Sequence, residues 1–172
     1  VFKSDRMTLF WVSMTSLFLE LLLIRWLSTE VRILAYVNNL VMLSCFLGLA
    51  FGTLQTNSKL KIWHGLTCFA LLLSSVQAKV FSSITELLGT FDSYYVWGFL
   101  ARPLSHIDIA AGVLLTLLCL FLVGFSLIPF GVVLGKLIDK HPNPIGAYTL
   151  NIIGSLVGVW LFTIISTLSW PL

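Results

Sequence analysis

The sequence is poor in charged residues and lacks any polar stretch long enough to fold as a separate water-soluble domain. Only 10% of its 172 residues are Asp, Glu, Lys or Arg, whereas 58% are hydrophobic and the mean hydropathy is +1.01. The net charge of +3 is small and dispersed, which argues against the dense basic surface that nucleic-acid binding requires. We therefore expect membrane lipid, and no nucleic acid, around most of the chain.

Motifs for catalysis, metal binding and phosphate binding are also absent from the sequence. The candidate ligand residues are few: Cys45, Cys68, Cys119, His64, His106 and His141. The cysteines form no CxxC or Cys/His spacing, and they are interpreted as small apolar residues in helix packing. The histidines share no ligand spacing, and no GxGxxG, Walker or Ser/His/Asp pattern occurs. The sequence thus predicts no metal site, no cofactor and no enzyme active site formed by this chain alone.

What the chain does contain is five long apolar stretches. They cover residues 7–27, 31–54, 61–78, 107–138 and 145–170. A bilayer core about 30 Å thick requires about 20 apolar residues in a helix, and the stretches reach or approach that length. We expect one all-α integral membrane domain over residues 1–172, with about five transmembrane helices, in the inner membrane of the cell. Pro129 lies inside the fourth stretch and predicts a kink there.

A sixth segment, 80–102, has a different pattern. Apolar side chains recur at helical spacing from Val80 to Tyr95, with polar residues between them, and an aromatic cluster follows. This amphipathic pattern predicts an interfacial helix lying on the membrane, with aromatic side chains at the headgroup level. A re-entrant or packed loop is the alternative.

The basic residues indicate an orientation. If the N-terminus is cytoplasmic, that side of the membrane collects the larger set: Lys3, Arg6, Lys59, Lys61, Lys136 and Lys140. The opposite side collects Arg32, Lys79 and Arg102, with Arg25 near it. Because positive residues favour the cytoplasm, we predict a cytoplasmic N-terminus and, with five spans, a C-terminus on the other side. The second inference reverses if the third stretch does not cross the membrane.

Glu20 and Arg25 are the charged residues inside the first stretch. A charge in mid-membrane costs several kcal/mol unless it is paired or hydrated, so Glu20 must be protonated, paired or directed into a polar cavity. Arg25 is rotated about 140° around the helix from Glu20, so the two are not neighbours on one face. Arg25 can extend its guanidinium to the nearer surface. Glu20 is therefore either bonded to a polar group of another helix or part of a ligand or proton site.

Three amides are candidate partners for Glu20. Asn38 and Asn39 lie in the second stretch and Asn151 in the fifth. Buried amides between membrane helices commonly hold helices together, for about 1 kcal/mol each. If they converge with Glu20, they form a candidate intramembrane polar site: Glu20, Arg25, Asn38, Asn39 and Asn151.

Three pairs of glycines are spaced four residues apart. The pairs are Gly48/Gly52, Gly131/Gly135 and Gly154/Gly158. Such pairs leave a flat strip on a helix, which allows two backbones to approach closely. We expect these glycines to pack helices within one bundle, with dimerisation as the alternative.

Several of these motifs occur in an order that resembles a known family. They are Glu20–Arg25, Phe46–Gly52, Ile128–Gly131 and Tyr148–Gly158. Together they resemble the N-terminal membrane domain of bacterial spermidine synthase-like proteins. In that family a multi-span membrane region is joined to a cytosolic, Rossmann-like aminopropyltransferase or methyltransferase-like domain. The last motif is the most specific, since acidic-to-Arg and Gly-rich patterns also occur in major facilitator transporters.

The resemblance implies a membrane module without catalysis, because the soluble catalytic domain and its Gly-rich and acidic motifs are missing here. The first hypothesis is therefore an anchor or substrate-handling module of a spermidine synthase-like protein, which predicts a longer gene product. The second is a small structural or accessory subunit of a larger membrane complex, with other membrane subunits as partners. The third is a transporter or half-transporter, against which the lack of an inverted repeat argues.

Overall fold

The computed structural model of the chain describes residues 2–30, 34, 38–56, 60, 62–77 and 106–168. All regular secondary structure within these ranges is helical. The helices are α1 (Phe2–Glu30), α2 (Asn38–Leu54), α3 (Ile62–Gln77), α4 (His106–Asp139) and α5 (Pro144–Thr167).

Three of the helices are long and apolar enough to cross a membrane. Their spanning segments are Asp5–Glu30, Thr116–Asp139 and Pro144–Thr167. The other two, α2 and α3, are apolar but have only 17 and 16 residues, which corresponds to about 25 Å each at 1.5 Å per residue. The predicted all-α class with membrane-length apolar helices is confirmed.

The helix bounds differ from the predicted apolar stretches mainly at α1. This helix begins at Phe2 and ends at Glu30, beyond the predicted 7–27, because a helix satisfies its own backbone and continues into the polar interface. α4 agrees with 107–138 to within one residue at each end. The predicted start of the second stretch at 31, the end of the fifth at 170 and the interfacial segment 80–102 lie outside the described residues.

The helices pack around α4. It contacts α2 most extensively, then α3 and α1, whereas α5 packs mainly on α1. The shared core is built from aliphatic side chains of several helices: Leu23, Leu27, Leu34, Val41, Cys45, Leu72, Val123, Leu127 and Phe130. The order across the bundle is therefore α5, α1, then α4 with α2 and α3.

α4 stays helical on both sides of Pro129, so this residue does not end the helix. Because proline has no N–H, it cannot donate to the carbonyl of Phe125 one turn earlier. Pro129 is buried against the neighbouring helices. α4 therefore contributes side chains to the core both before and after Pro129.

Polar and apolar side chains are distributed as lipid requires. The buried polar residues are Ser13, Ser16, Glu20 and Ser126. Many large apolar side chains are well exposed, including Leu54, Trp63, Leu114, Ile107 and Ile145. A water-soluble protein of this size rarely exposes such extensive apolar surface. Such a surface is consistent with helices that lie in a membrane.

Glycines form a seam between α2 and α4. A Cβ atom on Gly52 would lie 2.7 Å from the Cα of Gly131 and would also collide with the carbonyl oxygen of Ile128. A Cβ on Gly48 would collide with the backbone of Gly124. The two backbones are thus in direct contact, which only glycine allows.

The seam also fixes the relative direction of α2 and α4. Its contacts run from Gly48 with Gly124 to Thr53 with Gly135. Residue numbers increase together in both helices, so α2 and α4 are parallel.

A second close pair joins α1 and α5. A Cβ on Gly154 would lie 2.7 Å from the carbonyl oxygen of Phe10, and one on Gly158 would lie 2.5 Å from that of Met14. Further along, the rings of Phe18 and Phe162 meet edge to face at 6.1 Å. The residue numbers of these contacts again increase together in both helices, so α1 and α5 are parallel. All six glycines singled out in the sequence lie against another helix of the same chain.

The short connection between α4 and α5 ends in a defined cap. The side chain of Asn143 accepts a hydrogen bond from the backbone N–H of Gly146 at 3.3 Å. Pro144 occupies the first helical position, where its missing N–H is not needed. This cap reverses the chain, so α5 runs antiparallel to α4 and parallel to α1.

Candidate functional site

Glu20 is the only acidic side chain in the buried core of the described residues. It is 2% exposed, and its Oε2 atom is buried with no hydrogen-bond partner. It faces inward because Leu9, Ser13, Ser16, Leu23 and Leu27 recur on the same face of α1, and all are buried. The Glu20 carboxyl lies near the buried thiol of Cys45 on α2.

The buried serines do not solvate this carboxyl group. Ser13 donates to the carbonyl oxygen of Leu9 at 2.8 Å, and Ser16 donates to that of Ser13 at 3.0 Å. On α4, Ser126 donates to the carbonyl oxygen of Val123 at 2.7 Å. Each hydroxyl proton is therefore used within its own helix. Among the described residues, the Oε2 atom of Glu20 is therefore an acceptor without a donor.

The amides predicted as partners lie elsewhere. Asn38 accepts a hydrogen bond from the hydroxyl of Ser28, which is eight residues, or about 12 Å, along α1 from Glu20. Asn38 and Asn39 are both exposed. The structure therefore does not bring these two amides to the Glu20 carboxyl.

Asn151 is separated from Glu20 along the α1–α5 pair. Its neighbour Gly154 packs at Phe10, and Glu20 lies ten residues further along α1, about 15 Å away. Asn151 is half-exposed. The structure therefore places the predicted polar cluster at three separate levels of the bundle, with Glu20 alone in the core.

Arg25 has a partner that its sequence position did not indicate. Its Nη1 donates to the hydroxyl of Ser166 near the end of α5. Because α1 and α5 are parallel, their C-terminal ends lie side by side at this contact. The contact fastens the guanidinium to the neighbouring helix within the bundle.

We expect Ser166→Ala to lower the free energy of unfolding by about 1 to 2 kcal/mol, because a hydrogen bond to a charged, partly buried group is lost. Ser155→Ala on the same helix is the matched control and should change stability by less than about 0.5 kcal/mol. Unfolding by dodecyl sulfate in neutral micelles, followed by tryptophan fluorescence, measures both. Equal effects of the two substitutions would contradict this assignment.

The described helices α2, α3 and α4 enclose a groove, which we call the α2–α4 groove. Its volume is about 650 Å³, within the range of roughly 300–1,000 Å³ typical of ligand sites. Its lining consists of Ser44, Leu47, Gly48, Phe51, Gln55, Leu60, His64, Thr67, Cys68, Phe121, Gly124, Phe125, Ile128 and Pro129. None of these side chains is a carboxylate, an ammonium or a guanidinium group.

The groove exists because of the glycine seam below it. Gly48 and Gly124 form its floor, and neither contributes a side chain that could fill the space. Its walls include Phe121 and Phe125, whose ring centroids are 5.0 Å apart. Sequence reasoning noted Gly48 but missed the groove. The spacing of these two phenylalanines, one turn apart on the same helix as Gly124, is the signal that indicates it.

The histidines and cysteines do not assemble into a metal centre in the described part of the chain. No group of three His, Cys, Asp or Glu side chains within metal-binding distance is found there. Cys45, Cys68 and Cys119 are free thiols, two of them buried. His64 and Cys68 both line the α2–α4 groove, one helical turn apart.

Comparison with known proteins gives no relative. No protein-family model, no curated protein and no solved structure matches the chain.

Proposed function

We propose that this chain is a non-catalytic integral membrane module, resembling the membrane part of spermidine synthase-like proteins, that serves as an anchor or as a substrate-handling module. The observation that carries the membrane part of this proposal is the exposure of many large apolar side chains around a core that is itself mostly apolar. The sequence motifs shared with that family support the rest. Glu20 is the residue that we assign to substrate handling, because an ionisable group inside a membrane bundle is expensive to retain without a function.

We further propose five membrane crossings with a cytoplasmic N-terminus. The parallel pairs α1–α5 and α2–α4 support this. If each of five helices crosses the membrane in the direction opposite to the one before it, then α1 and α5 point the same way, and so do α2 and α4. Lys136 and Lys140 lie at the end of α4 and Arg6 near the start of α1, so these described basic residues share one end of the bundle. Positive residues favour the cytoplasmic side.

Reporter fusions test this topology. A fluorescent protein fused before α1 or within the connection 139–143 should fold and fluoresce, since both points are expected in the cytoplasm. Alkaline phosphatase fused after α5 should be active, since that point is expected outside. Resistance of the chain to carbonate extraction should accompany both results. Phosphatase activity at the 139–143 connection, or none after α5, would overturn the five-span topology.

One observation favours the alternative role of accessory subunit. Asn151 lies inside the apolar helix α5, is half-exposed, and makes no hydrogen bond within the described structure. Amides in this position bond across to another membrane helix. Co-purification of a second membrane protein with the wild type, and its loss with Asn151→Leu, would support a subunit role. Retention of the same partner by Asn151→Leu would count against it.

A further inference from the structure

Glu20 lies far from both ends of the spanning segment of α1. That segment extends from Asp5 to Glu30, so Glu20 is fifteen residues from one end and ten from the other. At 1.5 Å per residue these separations are about 22 Å and 15 Å, compared with about 30 Å for a whole hydrocarbon core. The side chain is also only 2% exposed. Its carboxyl group is therefore held deep inside the bundle.

The core around this carboxyl group is mostly aliphatic. Leu23, on the same buried face of α1, belongs to the core cluster together with Val41 and Cys45 of α2. The thiol of Cys45 lies near the carboxyl group, but a thiol is only a weak hydrogen-bond donor. The Oε2 atom of Glu20 has no donor within the described structure. An ionised carboxylate would lose its hydration here without receiving comparable hydrogen bonds.

Ser16 is the polar neighbour of Glu20 on the buried face of α1. It precedes Glu20 by four residues, a spacing at which helical side chains are neighbours. Its hydroxyl proton is donated to the carbonyl oxygen of Ser13 at 3.0 Å, so its oxygen is left as an acceptor. An acceptor beside a carboxyl group favours the form that carries a proton, because that form can donate whereas a carboxylate cannot.

We propose that Glu20 is a proton-binding site in the core of the bundle, between Ser16 of α1 and Cys45 of α2, and that its ligand in this structure is a proton. Binding of the proton removes the charge that the apolar core disfavours and supplies an O–H donor. The proposal rests on the membrane setting of the proposed function, but not on the resemblance to spermidine synthase-like proteins. The reporter fusions test that setting without any measurement on Glu20.

Infrared absorption of the full chain tests the site in a detergent without ester groups. A protonated carboxyl group gives a C=O stretching band at higher wavenumber than amides and carboxylates. At about pH 8, carboxyl groups with an ordinary pKa of about 4 are ionised and do not contribute to it. We expect this band in the wild type and its loss in Glu20→Gln. Glu30→Gln, at the exposed end of the same helix, should leave the band unchanged. Absence of the band from the wild type, or an equal band in Glu20→Gln, would overturn the proposal.

Two buried cysteines provide a matched pair of variants that keep Glu20 in place. Serine is similar to cysteine in size, but its hydroxyl group hydrogen-bonds more strongly than a thiol. Cys45→Ser should therefore shift the carboxyl band to lower wavenumber, whereas Cys119→Ser, on α4, should leave its position unchanged. Dodecyl sulfate unfolding in micelles checks that each variant is folded. An unchanged band in Cys45→Ser would show that the protonated group does not lie beside α2 and would reject the site.

Discussion

Gly52→Ala is expected to lower the free energy of unfolding by about 2 kcal/mol, although alanine is the better helix former by about 1 kcal/mol. The added methyl group would lie 2.7 Å from the Cα of Gly131 and would also meet the carbonyl of Ile128. Both obstacles are backbone atoms, so no side-chain rotation can relieve the clash. α2 and α4 must move apart, and much of their mutual packing is lost.

Gly146→Ala is the matched control for this substitution. A Cβ at Gly146 would meet its nearest atom, in the side chain of Asn143, at 3.6 Å, which is ordinary van der Waals contact. This variant should be neutral or more stable by up to about 1 kcal/mol. Dodecyl sulfate unfolding in micelles compares the two. Equal and small effects would show that the α2–α4 seam is looser than described.

Glu20→Met is expected to raise the stability of the bundle by about 1 to 2 kcal/mol and to abolish any ligand handling by the core. Methionine is unbranched and fills nearly the same path as glutamate, but it has no oxygen that needs a donor. The unpartnered Oε2 of Glu20 is therefore removed without opening a cavity. A gain in stability with a loss of function is the expected result for a residue retained for function.

Glu20→Gln removes the ionisable group but keeps a buried polar side chain of the same shape, so it distinguishes the effect of ionisation from the effect of burying a polar group. It keeps the size and one carbonyl oxygen, so its stability should remain within about 0.5 kcal/mol of the wild type. Both variants are measured by dodecyl sulfate unfolding, and binding of polyamines, the substrate class that the proposed function implies, gives the functional comparison. A large loss of stability in Glu20→Met would instead show that the carboxyl group is a bonded structural element.

The helices could be predicted from the sequence largely because apolar length alone decides them in a membrane. The bounds of α4 agree with the predicted stretch, and those of α1 exceed it because polar residues such as Asp5 and Glu30 can continue a helix past the apolar part. The glycine spacing indicated flat helix faces. It could not name their partners, because whether α2 meets α4 or α5 depends on the arrangement of the whole bundle.

The candidate site was less predictable for a related reason. Glu20 stands out in the sequence, since hydropathy reveals a carboxyl group inside an apolar stretch. The level of residues such as Asn38 and Asn151 relative to Glu20 could not be predicted, because it depends on how the helices are aligned in the bundle. The α2–α4 groove is a space between three helices, and no single stretch of sequence contains it.

The parallel pairing of helices also constrains how the protein is made. α2 emerges from the ribosome well before α4, and α1 before α5, so each early helix enters the bilayer without the helix against which its glycine contacts form. Synthesis of the last two helices is therefore the step that completes the tertiary structure, and chains that stop before α4 should be recognised by cellular quality control and degraded.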